Sequence, residues 1–270
     1  MVNGDFMIRM IVADLDGTLY SDIENFDINR FYRIYEKLKK LNIRFVVASG
    51  NQYHLIKELF KDIIDEISVI SENGSLILEN DQEIYATSLN KEELYRLCDG
   101  LSQYRVPYLI CGKRSAYVLK RNGIDEFKDP KHFPKIEMIE KVEDIDDHIL
   151  KISFNDHFYE GNDIKKTVNS IIGDDMEIIA TGFTAYDIIT KGINKTFGVR
   201  MLAQRYHLSK DEIMAFGDSD NDIGMLRYVG HPYIMANARK EYRDMFDKIA
   251  PDAKDEGVLK VLEDFIQHHS

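Results

Sequence analysis

Short apolar runs alternate with segments of helical periodicity near the start of the chain. Buried strands are predicted over residues 7–13, 43–49 and 67–71, because each run is short, apolar and followed by a turn signal. Helices are predicted between them, over 27–41 and 51–60. This alternation is typical of a parallel sheet with helices on its faces. We therefore expect an α/β fold built on a doubly wound, Rossmann-like parallel sheet.

The same alternation returns after residue 190 and predicts a second part of that sheet. The elements predicted there, in chain order, are a helix near 194–206, a strand over 212–217, a helix near 220–227, a strand over 232–236, a short strand at 248–250 and a helix near 257–267. A chain of 270 residues, 44% of them hydrophobic, can bury the core of one such domain or of two.

The middle of the chain has a different pattern, in which strands come in close pairs. Gly112-Lys113-Arg114 and Thr181-Gly182-Phe183 each lie between two apolar runs, and each predicts a hairpin. The predicted elements of this region are strands at 106–111, 115–120, 149–154, 176–180 and 185–190, and helices near 90–103 and 160–172. Helices beside an antiparallel sheet predict an α+β insertion. We expect residues 1–84 and 191–270 to form a core domain, and residues 85–190 an inserted cap.

Acidic side chains follow two of the predicted core strands. Asp14 and Asp16 come directly after the first strand, and Asp218 and Asp222 follow the strand that ends at Gly217. Ligands of such folds gather outside the carboxyl ends of the parallel strands, so these acids should meet at one edge of the sheet. Carboxylates so close together repel one another unless a cation lies among them. All-oxygen ligands favour a hard cation, and we expect Mg²⁺.

Neutral and basic side chains are expected at the same edge. Ser49 and Gly50 follow the second strand, Asn221 lies at the start of one predicted helix, and Lys195 at the start of another. Ser49 could also serve only to cap the helix after it, and Lys191 competes with Lys195 for the role of the cation. A divalent metal, a lysine and hydroxyl donors together are typical of phosphoryl-transfer sites.

Four short motifs resemble those of the haloacid dehalogenase-like (HAD) superfamily and occur in that family's order. They are DLDGTLY at 14–20, ASGN at 48–51, GINK ending at Lys195, and GDSDND at 217–222. Two further stretches, SENGSLI at 71–77 and DEGVLKVL at 255–262, resemble its Cof-like branch, in which a large C2-type cap lies between the second and third motifs. The resemblance implies a HAD-like phosphatase, a phosphoric monoester hydrolase.

The resemblance also implies catalytic roles for individual residues. Asp14 would be the nucleophile that forms an aspartyl-phosphate. Asp16 would protonate the leaving oxygen and then activate the water that hydrolyses this intermediate. Ser49, beside Gly50, would hydrogen-bond the transferring phosphoryl group, and Lys195 would pair with its charge.

The same resemblance implies a metal site. Asp14, the backbone carbonyl of Asp16, and Asp218 would bind Mg²⁺. Asp222 would support the metal site, through water or through the lysine. Asn221 would contact phosphate or orient its neighbours.

One position departs from the family's pattern. The second motif often has an arginine after its Ser/Thr-Gly pair, and here that residue is Asn51. The substitution removes a possible cation on the substrate side. It leaves the nucleophile unaffected.

Charge and hydropathy limit the classes of partner that are expected. The formal net charge of −12 repels phosphate backbones and anionic lipid, so neither nucleic acid nor membrane is expected as a partner. The sequence shows no signal peptide and no membrane span, so we expect a cytoplasmic protein. We expect it to be a monomer or weak dimer. Its expected substrate is a small phosphorylated metabolite such as a sugar phosphate. Two alternatives stay open: a phosphomutase that uses the same aspartate, and a non-catalytic binding protein of the same fold.

Overall fold

The computed structural model describes residues 7–120, 135–155, 163–181 and 185–269. Its strands, in chain order, are β1 (Met10–Ala13), β2 (Arg44–Ala48), β3 (Ser68–Ser71), β4 (Leu76–Glu79), β5 (Gln82–Ala86), β6 (Tyr108–Gly112), β7 (Ala116–Leu119), β8 (Ile136–Ile139), β9 (Ile149–Asn155), β10 (Met176–Ala180), β11 (Ala185–Thr190), β12 (Ile213–Gly217), β13 (His231–Met235) and β14 (Ile249–Ala250). Its α-helices are α1 (Ile28–Lys40), α2 (Tyr53–Leu59), α3 (Lys91–Gln103), α4 (Ile164–Asn169), α5 (Lys195–Arg205), α6 (Asp220–Tyr228), α7 (Lys240–Arg243) and α8 (Gly257–His269).

The first sheet has eight strands in the order β14-β13-β12-β1-β2-β3-β4-β5. The strands from β14 to β3 are parallel, with β1 in the middle between β12 and β2. Each of the six parallel strands overlaps a predicted one, with ends that differ by at most three residues, so the predicted α/β fold with a parallel, Rossmann-like core is confirmed. The central position of β1 places its carboxyl end, where Asp14 follows, at the middle of the sheet edge.

A hairpin of β4 and β5 extends this sheet and is absent from the sequence-based prediction. Its two strands pair antiparallel around Asn80 and Asp81, which have φ values of 52° and 61°. Positive φ at both central residues matches a tight hairpin turn, for which Asn and Asp are well suited. The hairpin was not predicted, because β5 begins with the exposed Gln82 and Glu83 and so lacks an apolar run.

The second sheet has six strands in the order β10-β11-β9-β6-β7-β8. Both predicted hairpins are confirmed as antiparallel pairs, β6 with β7 and β10 with β11. The turn residues 182–184 of the second hairpin lie outside the described residues, as do residues 160–162 of the predicted helix near 160–172, which is seen as α4. Strand β8, which pairs parallel with β7, was not predicted, because two of its four residues are exposed and its apolar run is short.

The helices pack on the sheets through the faces that their periodicity predicts. In α1, Phe31, Ile34, Tyr35 and Leu38 are buried, whereas the predicted Leu41 ends the helix half-buried. Asp27 caps this helix by accepting a hydrogen bond from the backbone of Arg30 at 2.9 Å. Among the residues that the structure describes, no helix is both long and apolar enough to cross a bilayer.

Two chain crossings connect the sheets. The hydroxyls of Thr87 and Thr190, one on each crossing, lie 3.1 Å apart, and the backbone of Leu89 donates to the carbonyl of Ile149 in β9. Strand β5 reaches Ala86, so the first sheet extends past residue 84. The crossings bring strands β9 and β11 close to the loops after β2 and β3.

Candidate active site

Asp14 lies at the carboxyl end of β1 and forms an ion pair with Lys195. The Nζ atom of Lys195 donates to Oδ1 of Asp14 at 2.6 Å, and both side chains are buried. Asn194 caps α5 by accepting from the backbone of Phe197, and this places Lys195 in the first turn of the helix. Gly198 lets α5 approach the sheet closely, because a Cβ there would lie 2.7 Å from the side chain of Ile70. The packing of α5 against the sheet thus determines the position of the Lys195 ammonium.

Lys195 also binds a second carboxylate. Its Nζ lies 2.7 Å from Oδ1 of Asp222, so the ammonium bridges Asp14 and Asp222. Burial lowers the pKa of Lys195, but the two carboxylates outweigh burial, and the net shift of its pKa is upward. The lysine is therefore a permanent cation. The alternative candidate, Lys191, is exposed and donates to the carbonyl of Asp174.

Asp222 is fully buried and organises the loop after β12. Its Oδ2 atom accepts from the backbone N–H groups of Asp218 and Ser219, at 3.0 and 3.1 Å, and caps the start of α6. Its other oxygen accepts from Lys195. Both oxygens thus serve the loop and the lysine, which fits a supporting role better than a direct bond to a metal.

Asp218 faces β1 across the site. Its Oδ1 accepts from the Thr18 hydroxyl at 3.0 Å. Gly17 comes so near that a Cβ there would lie 2.6 Å from Oδ2 of Asp218. Burial, followed by the charge of Asp222, raises the pKa of Asp218 to about 7. The carboxylate is therefore held in an environment that disfavours its charge until a cation arrives.

Oxygens of Asp14, Asp218 and Asp222 all lie within 4.8 Å of one another. Burial raises the pKa of Asp14 well above its ordinary value; Lys195 opposes this shift, and the charges of Asp222 and Asp218 add to it. Three carboxylates and one ammonium leave an excess of negative charge in a buried space. Such a donor set, made only of oxygen, fits a hard divalent cation.

Asp16 is not one of the three clustered carboxylates. It lies in a tight turn, in which the Gly17 backbone donates to the carbonyl of Tyr20, and its side chain is exposed. Oδ2 of Asp16 accepts from Nδ2 of Asn51 at 2.6 Å. The residue that replaces the family's frequent arginine thus holds the carboxylate two residues after Asp14.

Ser49 and Gly50 form the loop after β2. The buried Ser49 hydroxyl accepts from the backbone of Asn51 at 3.0 Å, so in this structure it organises its own loop. Gly50 is needed for a close approach, since a Cβ there would lie 3.0 Å from the side-chain amide of Asn73. Asn221 reaches the same place from α6, where its Nδ2 donates to Oδ1 of Asn73 at 2.9 Å.

Four buried polar residues beside this loop were not among the site residues predicted from the sequence. They are Glu72, Asn73, Lys151 and Asp187. Lys151 and Asp187 come from the second sheet, and each is a charged residue within a mostly apolar strand, which is the signal that could have identified them. Glu72 and Asn73 lie within SENGSLI, a stretch noted above only for its family likeness.

Comparisons with known proteins identify the family of the chain. The model of the haloacid dehalogenase-like hydrolase family matches residues 11–262. The chain is 31% identical over 266 residues to 5-amino-6-(5-phospho-D-ribitylamino)uracil phosphatase YbjI of Escherichia coli, covering 97% of this chain and 98% of that protein. The solved structure of SMU.1108c from Streptococcus mutans UA159 is similar with a TM-score of 0.89 and 28% identity, over 96% of this chain and 99% of that one.

A third likeness concerns the fold alone. The HAD subclass IIB sugar phosphatase BT4131 superposes with a TM-score of 0.77 at 21% identity, over 95% of this chain and 98% of that one. The chain belongs to the haloacid dehalogenase-like hydrolase family. The predicted resemblance to the Cof-like branch and the predicted enzyme class, a HAD-like phosphatase, are confirmed.

Proposed function

We propose that this protein is a Mg²⁺-dependent phosphatase that hydrolyses small phosphate monoesters through an aspartyl-phosphate on Asp14. The observation that carries the proposal is the convergence of Asp14, Lys195 and Asp218 from three distant parts of the chain at one sheet edge. A carboxylate that attacks a phosphate dianion meets like charge, at about 4 kcal/mol per unit charge pair for a separation of 4 Å and an effective dielectric of 20. The lysine offsets part of that repulsion.

The residues present fit a magnesium ion. The ion would be held by Asp14, the backbone carbonyl of Asp16, and Asp218. Asp222 would support the site indirectly, through its hydrogen bonds to Lys195 and to the loop of Asp218. When bound, the ion would neutralise negative charge on the phosphoryl oxygens and on the nucleophile. The raised pKa values of Asp14 and Asp218 support this assignment, because both acids lack sufficient positive charge of their own.

The chemistry then follows from the side chains. An oxygen of Asp14 attacks phosphorus, the ester P–O bond breaks, and Asp16 gives its proton to the leaving oxygen. Asp16 next takes a proton from water; the water oxygen attacks phosphorus, and the bond to Asp14 breaks to release inorganic phosphate. Ser49 and Lys195 would stabilise the charge on the transferring group. The exposure of the Asp16 side chain supports its role as acid and base, because it must reach both the leaving group and water.

Gly50 and Asn221 would complete the phosphate site. Both lie against the side chain of Asn73, so the loop after β2 and the start of α6 meet there. In the same proposal the second sheet, within residues 85–190, is the cap that selects the substrate, and residues 1–84 and 191–270 are the core. A monomer or weak dimer and a cytoplasmic location stay predictions.

For the substrate we propose a sugar phosphate or a related metabolite. The support is the likeness to the E. coli enzyme named for a phosphorylated ribitylamino compound, together with the fold shared with a sugar phosphatase. A phosphorylated ribityl compound and a set of sugar phosphates are therefore the first esters to test. Formation of a second sugar phosphate instead of inorganic phosphate would indicate a phosphomutase.

The deciding experiment measures phosphate release from this panel with Mg²⁺ and with EDTA. We expect turnover only with Mg²⁺, and a loss of at least about a thousandfold in kcat for Asp14→Asn. Asp220→Asn is a matched control, because that acid lies in the same loop region but on the exposed side, near Tyr242. Wild-type turnover by Asp14→Asn would exclude Asp14 as the nucleophile.

A further inference from the structure

A buried charge cluster joins the two sheets beside the proposed phosphate site. The Nζ atom of Lys151, in β9, lies 2.8 Å from each of three oxygens: the carbonyl of Gly50, Oδ2 of Asp187 and Oε2 of Glu72. The contacts to Gly50 and Asp187 are hydrogen bonds, and the contact to Glu72 is an ion pair. Lys151, Asp187 and Glu72 are each buried, at 3%, 3% and 1% exposure. Two of the three oxygens, those of Gly50 and Glu72, belong to loops of the first sheet.

The turn that this cluster holds has an uncommon backbone. Glu72, Asn73 and Gly74 have φ values of 50°, 56° and 100°, three successive residues in the left-handed region. Only glycine adopts that region freely, and non-glycine residues there persist where the surroundings over-determine them. Such strained positions cluster at functional sites. The ion pair from Lys151 to Glu72 is one of the contacts that fix this turn.

The turn touches the loop of Ser49 directly. The Asn73 backbone donates to the carbonyl of Ser49 at 3.0 Å, and the Glu72 backbone donates to the carbonyl of Asn51 at 3.2 Å. Lys151 binds the carbonyl of Gly50 between them. Three successive carbonyls of the loop after β2 are thus held by this turn and the lysine.

The turn also touches the segments that carry the other phosphate-site residues. The side chain of Asn73 accepts from Asn221 and donates to Oδ2 of Asp187 at 2.7 Å. Gly74 packs against the backbone of Asn194, where a Cβ would lie 2.4 Å from its carbonyl oxygen, next to Lys195. One strained turn therefore lies in contact with all three segments that place the phosphate ligands.

We propose that Lys151 and Asp187 are positioning residues for phosphate binding, which from the second sheet hold the turn 72–74 against the loops of Ser49, Lys195 and Asn221. The inference rests on the proposed phosphatase function. It adds that the phosphate site is complete only while β9 and β11 are docked on the first sheet. Without them the buried carboxylate of Glu72 would lose the cation with which it pairs, and the side chain of Asn73 would lose the acceptor that orients it.

Three variants separate positioning from mere stability. Lys151→Met removes the central cation at similar length. Asp187→Leu removes the acceptor of Asn73 but leaves Lys151 and Glu72 as a balanced pair, so it stays informative where the first variant does not fold. Asp187→Asn keeps an acceptor oxygen for Asn73 and for Lys151, so this variant should retain phosphate binding and activity. Ser115→Ala is the control, because the hydroxyl of this buried serine donates, among the described residues, to the carbonyls of Ala116 and Lys135, both in the region of the second sheet.

The readouts are kcat and KM for p-nitrophenyl phosphate, the inhibition constant of inorganic phosphate, and Tm, all taken where circular dichroism shows a folded protein. We expect Lys151→Met and Asp187→Leu to lower kcat/KM at least tenfold and to weaken phosphate inhibition, and Asp187→Asn to stay within about threefold of wild type. Ser115→Ala should change Tm alone.

Unchanged phosphate inhibition and kcat/KM in both Lys151→Met and Asp187→Leu, with a lower Tm, would overturn the positioning role. A wild-type protein that hydrolyses no ester would instead contradict the proposed function. In that case direct calorimetric titration with inorganic phosphate still tests the positioning role, since the same variants should bind phosphate more weakly than wild type.

Discussion

Asn51 holds Asp16 through a side-chain hydrogen bond of 2.6 Å, from Nδ2 to a carboxylate oxygen. The asparagine stands where the family resemblance leads one to expect arginine. A neutral amide orients the carboxylate but brings no charge to the substrate side. The site therefore combines one buried cation, Lys195, with an acid that is positioned by an uncharged partner.

Replacing Asn51 with alanine should slow turnover without disturbing the fold. The hydrogen bond reaches a charged group but is exposed, so its loss should cost about 1 kcal/mol and lower kcat roughly five- to tenfold. The control is Asn25→Ala, because Asn25 donates a similar exposed bond to a different carboxylate, that of Asp22. Steady-state kinetics on one ester measure both. Equal rates for Asn51→Ala and wild type would show that Asp16 needs no such partner.

Replacing Lys195 with methionine should destabilise the metal-free protein and abolish activity. The change leaves Asp14 and Asp222 buried with no ammonium between them, and breaking a buried ion pair typically costs about 3–5 kcal/mol. Mg²⁺ should raise the Tm of this variant more than that of wild type, because the ion restores positive charge among the acids. Thermal melts with EDTA and with Mg²⁺ test this.

The control for that variant is Lys191→Met. Lys191 is exposed and donates only to a backbone carbonyl in the described structure, so its loss should leave Tm and turnover near wild type. If Lys191→Met lost activity and Lys195→Met kept it, the roles of the two lysines would be reversed.

The stability of the metal-free protein should fall as pH rises through neutrality. The pKa of Asp218 is about 7 in the folded state and about 3.8 when unfolded, so between these values the folded state binds more protons. The stabilisation from that proton is complete below pH 3.8 and is lost as pH rises through about 7. The raised pKa of Asp14 acts in the same direction.

Urea unfolding in EDTA at about pH 5.5 and pH 8 measures this effect. The free energy of unfolding should be lower at the higher pH, and Asp218→Asn should flatten the dependence. Saturating Mg²⁺ should flatten it too, since the bound ion keeps the carboxylate charged. A pH dependence that is identical in wild type and Asp218→Asn would contradict the assignment to this acid.

The elements predictable from sequence were strands with a continuous apolar run and helices with a clear apolar periodicity. The parallel core and the two predicted hairpins follow from such patterns, because a strand buried on both faces must be apolar throughout. Strands β5 and β8 were not predicted, because each is partly exposed. Each forms through pairing with a neighbouring strand and not because its own composition favours a strand.

The site was predictable where short motifs carry it and not where distant strands build it. Asp14, Lys195 and Asp218 stand in stretches whose residue types already imply a charged, metal-binding edge. The meeting of Lys151 with Glu72 depends on how the second sheet docks, and 79 positions separate them in the chain, so no local spacing predicts it. The partner of Asn51 likewise depends on the turn after β1, not on the ASGN motif.

Gly17→Ala should weaken metal binding and turnover by pushing Asp218 away. Gly17 has a φ of 78°, and a Cβ there would lie 2.6 Å from the Asp218 carboxylate. Gly192→Ala is the matched control, because Gly192 has a φ of 79° but has no described atom within 4 Å of the added carbon. Both changes should cost about 1–2 kcal/mol through the left-handed backbone. Only Gly17→Ala should raise the Mg²⁺ concentration needed for half-maximal turnover, by about tenfold or more, and equal Mg²⁺ titrations for the two variants would show that Asp218 does not hold the ion.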